Sequence, residues 1–183
     1  ISLPTPWVFG PRCKDLREYS CFTIDGLGTT DRDDALSIDL EMPEVLDQNS
    51  PYVIGIHIAN VAALIPQGSA LDVAASKRVT SLYIPDRKIP MLPYEFSSRL
   101  GSIDPDKGRL AVSIMVEMNS SNEVSRWDVT ESVVRSRAAL TYEEADIALL
   151  DKSNHWHKSL TRLEQAAYKR RKCREEEGAI NID

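Results

Sequence analysis

The sequence predicts a mixed α/β fold, a mainly antiparallel β-sheet packed against helices. Three observations carry this expectation. Apolar residues recur at every second position in several short runs, the period of a half-buried strand. One of these runs leads through a polar turn straight into another, which is a hairpin pattern. The last part of the chain shifts to a helical rhythm that stops at a glycine.

The elements follow in order. Residues 1–14 contain Pro4, Pro6, Gly10 and Pro11 and read as an irregular lead-in, with the domain proper over 15–183. Residues 19–25 (YSCFTID) read as a strand, residues 26–30 (GLGTT) as a turn, and residues 35–40 as a second strand. Residues 41–51, with two prolines and Asn49-Ser50, read as a loop. Residues 52–61 (YVIGIHIANV) predict a buried strand with Ile54, Ile56 and Ile58 on one face and His57 on the other. Ser69 is placed to cap a helix running to Arg78, with Asp72 at the capping-box position. Residues 81–93 (SLYIPDRKIPMLP) carry three prolines and predict an extended, shaped segment outside regular secondary structure. A short helix is expected over residues 94–100. Residues 110–118 alternate cleanly, and Asn119-Ser120-Ser121-Asn122 turns them back into a strand over 124–135. A helix begins at Thr141, and a long helix runs from about Ser153 to Glu177, stopped by Gly178. Its KRRKCREEE run reads as a solvated face.

The chain has 183 residues, 27% charged and 42% hydrophobic, enough for one domain with a real core. No apolar run approaches the roughly 20 residues that cross a bilayer, and no secretory signal is visible. The chain starts at Ile1 rather than Met, as a processed or excised piece would. A net charge of −6 argues against nucleic-acid binding through bulk positive charge. It leaves open an enzyme that meets phosphate through metal ions held by carboxylates. Cys13, Cys21 and Cys173 are odd in number, lack metal-ligand spacing, and read as reduced thiols of a cytoplasmic protein. His155-Trp156-His157 lacks the i, i+4 spacing of a helical zinc pair. The Gly26/Gly28 pair lacks the rest of a phosphate-binding loop.

The informative stretch is TIDGLGTTDRDDALSID, residues 23–39. Asp25, Asp31, Asp33 and Asp34 lie within ten positions around a glycine-containing turn. Crowded carboxylates repel unless a cation neutralises them. A hard divalent ion does so through oxygen ligands, and two ions about 4 Å apart serve an in-line phosphoryl transfer. An acidic loop whose aspartates merely cap turns is the alternative. The calcium-loop pattern fails because Ala35 and Leu36 occupy required positions. Residue types alone leave metal-dependent hydrolysis and metal binding both open.

That string resembles the signature of the RNB catalytic domain of the RNase II / RNase R exoribonuclease family. The resemblance continues in family order through GIHIANV (55–61), SLYIPDRKIPMLP (81–93), residues 96–111, RSRAALTY (135–142) and RRKCREEEGAINID. It covers about residues 15–183. It implies an RNB-like fold and a hydrolytic 3′→5′ exoribonuclease that degrades single-stranded RNA to nucleoside 5′-monophosphates. The family's four acidic positions fall on Asp25, Asp31, Asp33 and Asp34, which the resemblance makes ligands of Mg²⁺, with Mn²⁺ as the alternative ion. Tyr83 matches an aromatic that stacks on a base near the RNA 3′ end, and Tyr142 a second tyrosine close by. Stacking accepts every base, as such an enzyme requires. The family's aspartate in "A-D-V" is Asn60 here. The second half of the family's domain, with a substrate-binding arginine and a partner aromatic, lies beyond the matched stretch, as do flanking RNA-binding domains. Two rivals are therefore an incomplete RNB fragment that binds RNA or protein, and an ion-binding domain with no nuclease role. The acidic loop is expected at one edge of a cleft.

Overall fold

A computed structural model of the chain describes residues 13–39 and 51–180. Most of the expected lead-in and of the 41–51 loop lies outside the described residues. The strands are β1 (Lys14–Asp15), β2 (Cys21–Asp25), β3 (Asp34–Asp39), β4 (Tyr52–Ala59), β5 (Leu82–Ile84), β6 (Arg87–Ile89), β7 (Gly108–Met118) and β8 (Val124–Thr141). The helices are α1 (Ala70–Arg78), α2 (Tyr142–Leu150) and α3 (His157–Glu176). Short 3-10 and π-helical turns occupy Val61–Leu64 and Glu95–Leu100. The fold is the mixed, mainly antiparallel α/β arrangement that the sequence predicts.

The main sheet has the order β1-β8-β2-β3-β4-β7, and β7 also pairs with β8, so the ladder closes on itself. The 18-residue β8 makes this closure. Its first part runs antiparallel to β7, from Gly108↔Arg135 to Met118↔Val124. Its last residues run parallel to β2, from Cys21↔Ser136 to Asp25↔Thr141. A strand this long twists and coils enough to serve different neighbours at its two ends. The expected strand over 124–135 is thus extended to Thr141.

Closing a few strands leaves a narrow interior, which calls for mostly small side chains. The inward positions are accordingly Cys21, Ala35, Ser37, Gly55, Ala111, Ser113, Ser132 and Val134, all buried. His57 lies among them and is fully buried. Its Nε2 bonds Ser37 Oγ at 2.9 Å and its Nδ1 bonds Ser113 Oγ at 2.7 Å. Ser113 Oγ meets Ser132 Oγ at 2.6 Å, and Ser132 donates to Ala111 O. The wire crosses β3, β4, β7 and β8. Gly55 makes room for it, because a Cβ there would lie 2.3 Å from Ser37 Oγ and 2.6 Å from His57 Nε2. His57 does sit opposite the isoleucines, but its face is the drier one, and Ile58 is 42% exposed.

The outer face is apolar and takes the helices. Phe22 packs with Ala145, Ala148 and Leu160, its ring 4.9 Å from that of Trp156. Ile38, Tyr52 and Met118 pack on Ala166 of α3. Thr141 caps α2 in a full capping box with Glu144, and Ser69 caps α1 through Asp72 N.

The proline-rich segment corrects an expectation. Residues 82–89 form a regular two-stranded hairpin, β5–β6, with its own ladder. The prolines permit it because Pro85 sits in the turn while Pro90 and Pro93 lie past the last paired residue, so none must donate to the ladder.

Candidate active site

Asp25 closes β2 and Asp34 opens β3, so the strand pairing brings the ends of the acidic stretch to one corner of the sheet. The turn between them is closed by Thr29, whose N–H and hydroxyl both bond Gly26 O. Gly28 takes φ +85°, which glycine adopts at little cost. The return of the loop is pinned to the segment before β7. Arg32 N donates to Ser102 Oγ at 3.1 Å, and Ile103 N to Arg32 O at 2.9 Å. Ala59 N donates to Asp33 O at 2.8 Å.

The charges at this corner interlock. Arg32 lies between two carboxylates, 3.7 Å from Asp25 Oδ2 and 3.4 Å from Asp104 Oδ1. Asp104 also accepts from Ser102 Oγ at 2.8 Å and Lys107 Nζ at 3.0 Å. Burial opposes its ionisation, but these bonds outweigh that and hold its carboxyl below the usual range. Asp31 pairs with Lys88 Nζ of β6. Desolvation and then the Asp31 charge push the Asp33 carboxyl up, with Asp34 and Asp25 adding and Lys88 opposing. Asp33 therefore feels the charge of the other three. Thr23 Oγ1, Asp25 Oδ2 and Arg32 Nε are buried atoms without a hydrogen bond.

The four do not form a closed cage: among the described residues, no three His, Cys, Asp or Glu side chains converge as ready-made metal ligands. The donor set still suits a hard divalent cation. It consists of carboxylate oxygens, one of them buried without a hydrogen bond and facing Arg32 Nε at 3.7 Å. Mg²⁺ typically keeps several waters and takes only one or two carboxylates, with substrate phosphates completing its shell.

Tyr142 begins α2 directly after the residue paired with Asp25, and its ring lies 4.0 Å from where a Cβ on Gly26 would stand. It is 60% exposed. Tyr83 is 74% exposed on the hairpin, its ring centroid 4.9 Å from Lys88 Nζ. Asn60 acts locally, its Oδ1 accepting from Ala63 N to cap the 3-10 turn. Two recesses flank the corner. An apolar one of about 660 Å³ lies between the sheet and the helices, bordered by Ile24 and Tyr142. A polar one of about 380 Å³ includes Asp104, Lys107 and Arg109. Neither takes in the four aspartates. Sequence reasoning missed Arg32, Lys88 and Asp104. The only signal was a basic residue inside an acidic run, and Lys88 gave none.

Comparison with known proteins gives the family and the fold. The RNB domain family model matches residues 13–183. Ribonuclease R of Chlamydia pneumoniae is 39% identical over 170 residues, which are 92% of this chain and 24% of that protein. The human exosome complex exonuclease RRP44 is 36% identical over 172 residues, 92% of this chain and 17% of its own. The chain thus spans a quarter or less of these relatives. Among solved structures, Mycoplasma genitalium RNase R in complex with ribose methylated single-stranded RNA superposes with TM-score 0.87 at 22% identity, covering 100% of this chain and 28% of that one. Yeast Ssd1, a pseudonuclease, gives TM-score 0.70 at 24% identity, covering 85% and 18%. With the family model matching nearly its whole length, the chain belongs to the RNB domain family.

Proposed function

We propose that this chain carries the acidic half-site of a hydrolytic, Mg²⁺-dependent 3′→5′ exoribonuclease that degrades single-stranded RNA to nucleoside 5′-monophosphates. One observation supports this above the others: Asp25, Asp31, Asp33 and Asp34 lie at one corner, with the Asp33 carboxyl pushed up by burial and then by its acidic neighbours, and with a buried Asp25 oxygen that lacks a hydrogen bond. These four residues would hold the ion, with Mn²⁺ as a substitute. The chemistry such an ion supplies is neutralisation of the scissile phosphate and a more acidic attacking water. The chain's own residues do the rest. Arg32 holds the loop to Asp104, so the carboxylates keep one arrangement. The exposed rings of Tyr83 and Tyr142 offer stacking faces for terminal bases, worth about 1–3 kcal/mol each and indifferent to sequence.

The test is incubation of the chain with labelled poly(A) and Mg²⁺. AMP should appear, disappear with chelator, and fall at least about a hundredfold in Asp34→Asn, the scale of losing one charge-stabilising group. Product that persists in the variant or without metal would refute the mechanism. The similarity to a pseudonuclease supports a second reading, an RNB domain that binds RNA without cutting it. Poly(A) binding with no AMP from the unaltered chain would favour it.

A further inference from the structure

The β5–β6 hairpin stands apart from the main sheet as its own two-stranded ladder. Tyr83 and Lys88 face each other across that ladder. The Lys88 ammonium lies 4.9 Å from the Tyr83 ring centroid and at the same time pairs with Asp31. One cation therefore touches both the acidic quartet and the ring placed for stacking. Its neighbour Arg87 is exposed and stands at the adjacent ladder position, where side chains point to the opposite face. The other ties of the hairpin are local: Met91 N donates to Ser81 Oγ, and Arg78 Nη1 reaches Pro90 O and Met91 O at 3.4 and 3.3 Å.

A divalent ion and an ammonium compete for one carboxylate, because each draws on the same negative charge. We propose that Lys88 is the resident counter-cation of Asp31, displaced when a divalent ion binds the quartet, and that the freed ammonium then takes a backbone phosphate of single-stranded RNA beside Tyr83. Lys88 is thus a positioning residue that links the two ligands: each eases the other's binding, as coupled equilibria require. The flexible four-carbon stem of lysine allows the exchange without moving the hairpin. This inference rests on the metal-dependent reading above.

Two measurements test it on the intact chain. Mn²⁺ is titrated and followed by electron paramagnetic resonance in the unaltered protein, Lys88→Gln, Lys88→Arg and Arg87→Gln. Binding of fluorescein-labelled phosphorothioate oligo(A) is measured in the same proteins with and without Mn²⁺. Lys88→Gln should bind Mn²⁺ about fivefold more tightly, the scale of one partly exposed ion pair. It should also lose most of the Mn²⁺-dependent gain in oligo(A) affinity. Lys88→Arg and Arg87→Gln should behave like the unaltered chain. Unchanged or weaker Mn²⁺ binding in Lys88→Gln, or the same tightening in Arg87→Gln, overturns the displacement and leaves the nuclease reading standing. Tighter Mn²⁺ binding with undiminished coupling overturns the phosphate exchange. No saturable Mn²⁺ binding by the unaltered chain overturns both.

Discussion

The interior of the closed sheet and the acidic corner both remove polar groups from water, and they settle the cost in opposite ways. Inside, Ser37, His57, Ser113 and Ser132 are neutral and bonded to one another from end to end. At the corner, carboxylates crowd, cations sit between them, and Thr23 Oγ1, Asp25 Oδ2 and Arg32 Nε find no hydrogen bond. A completed network fixes one packing, because any member removed leaves its neighbour orphaned. An incomplete one keeps affinity in reserve for a ligand. On the function proposed above, the inside is built for stability and the corner for chemistry, and substitutions should separate the two.

The largest effect is expected at Gly55. Its alanine variant drives a methyl into Ser37 and the locked His57 ring, and should cost about 3 kcal/mol in urea unfolding while leaving Mn²⁺ affinity of the folded fraction unchanged. Loss of ion binding without loss of stability would break the distinction.

His57 supplies a pH signature of similar size. Burial pushes its pKa down from 6.5 to about 4. The unfolded chain thus takes the proton first. The contribution is intact above pH 6.5 and is lost as pH falls towards 4, about 3 kcal/mol in total. Unfolding at stepped pH should show that slope in the unaltered chain, and a flatter one in His57→Gln. Parallel slopes would mean that the ring is protonated inside the fold.

A smaller cost sharpens the wire itself. Ser113→Ala removes a partner from both His57 Nδ1 and Ser132 Oγ and should destabilise by about 1–3 kcal/mol. The gentlest prediction reverses sign. Asp33 has a raised pKa, so its ionised form is disfavoured in the fold relative to the unfolded chain. Asp33→Asn should raise the thermal midpoint slightly at pH 7 while weakening Mn²⁺ binding. A lowered midpoint would place Asp33 among the structural groups.

Local signals made much of this legible. Alternation located β3, β4 and β7 because successive side chains of a strand point to opposite faces. Ser69 and Thr141 announced their helices because a cap uses only neighbouring atoms. The acidic stretch was legible as a cluster because its members share one turn. The proline-rich segment misled, since proline counts do not reveal whether each ring falls in a turn or in a ladder. Ile54, Ile56 and Ile58 do lie opposite His57 on β4, but the alternation could not tell that the His57 face is the more buried one.

By itself, then, the sequence determined β2, β3, β4 and β7, the starts of α1 and α2, the family signature and the quartet of aspartates. Only the tertiary structure decided that β8 closes the ladder, that His57 is wired into its interior, and that Arg32 and Lys88 stand beside Asp25 and Asp31. The reason is separation along the chain. Asp31 and Lys88 are 57 residues apart, and Ser37 and His57 are 20. No local periodicity records such pairs, and they exist only once the strands between them have taken their register.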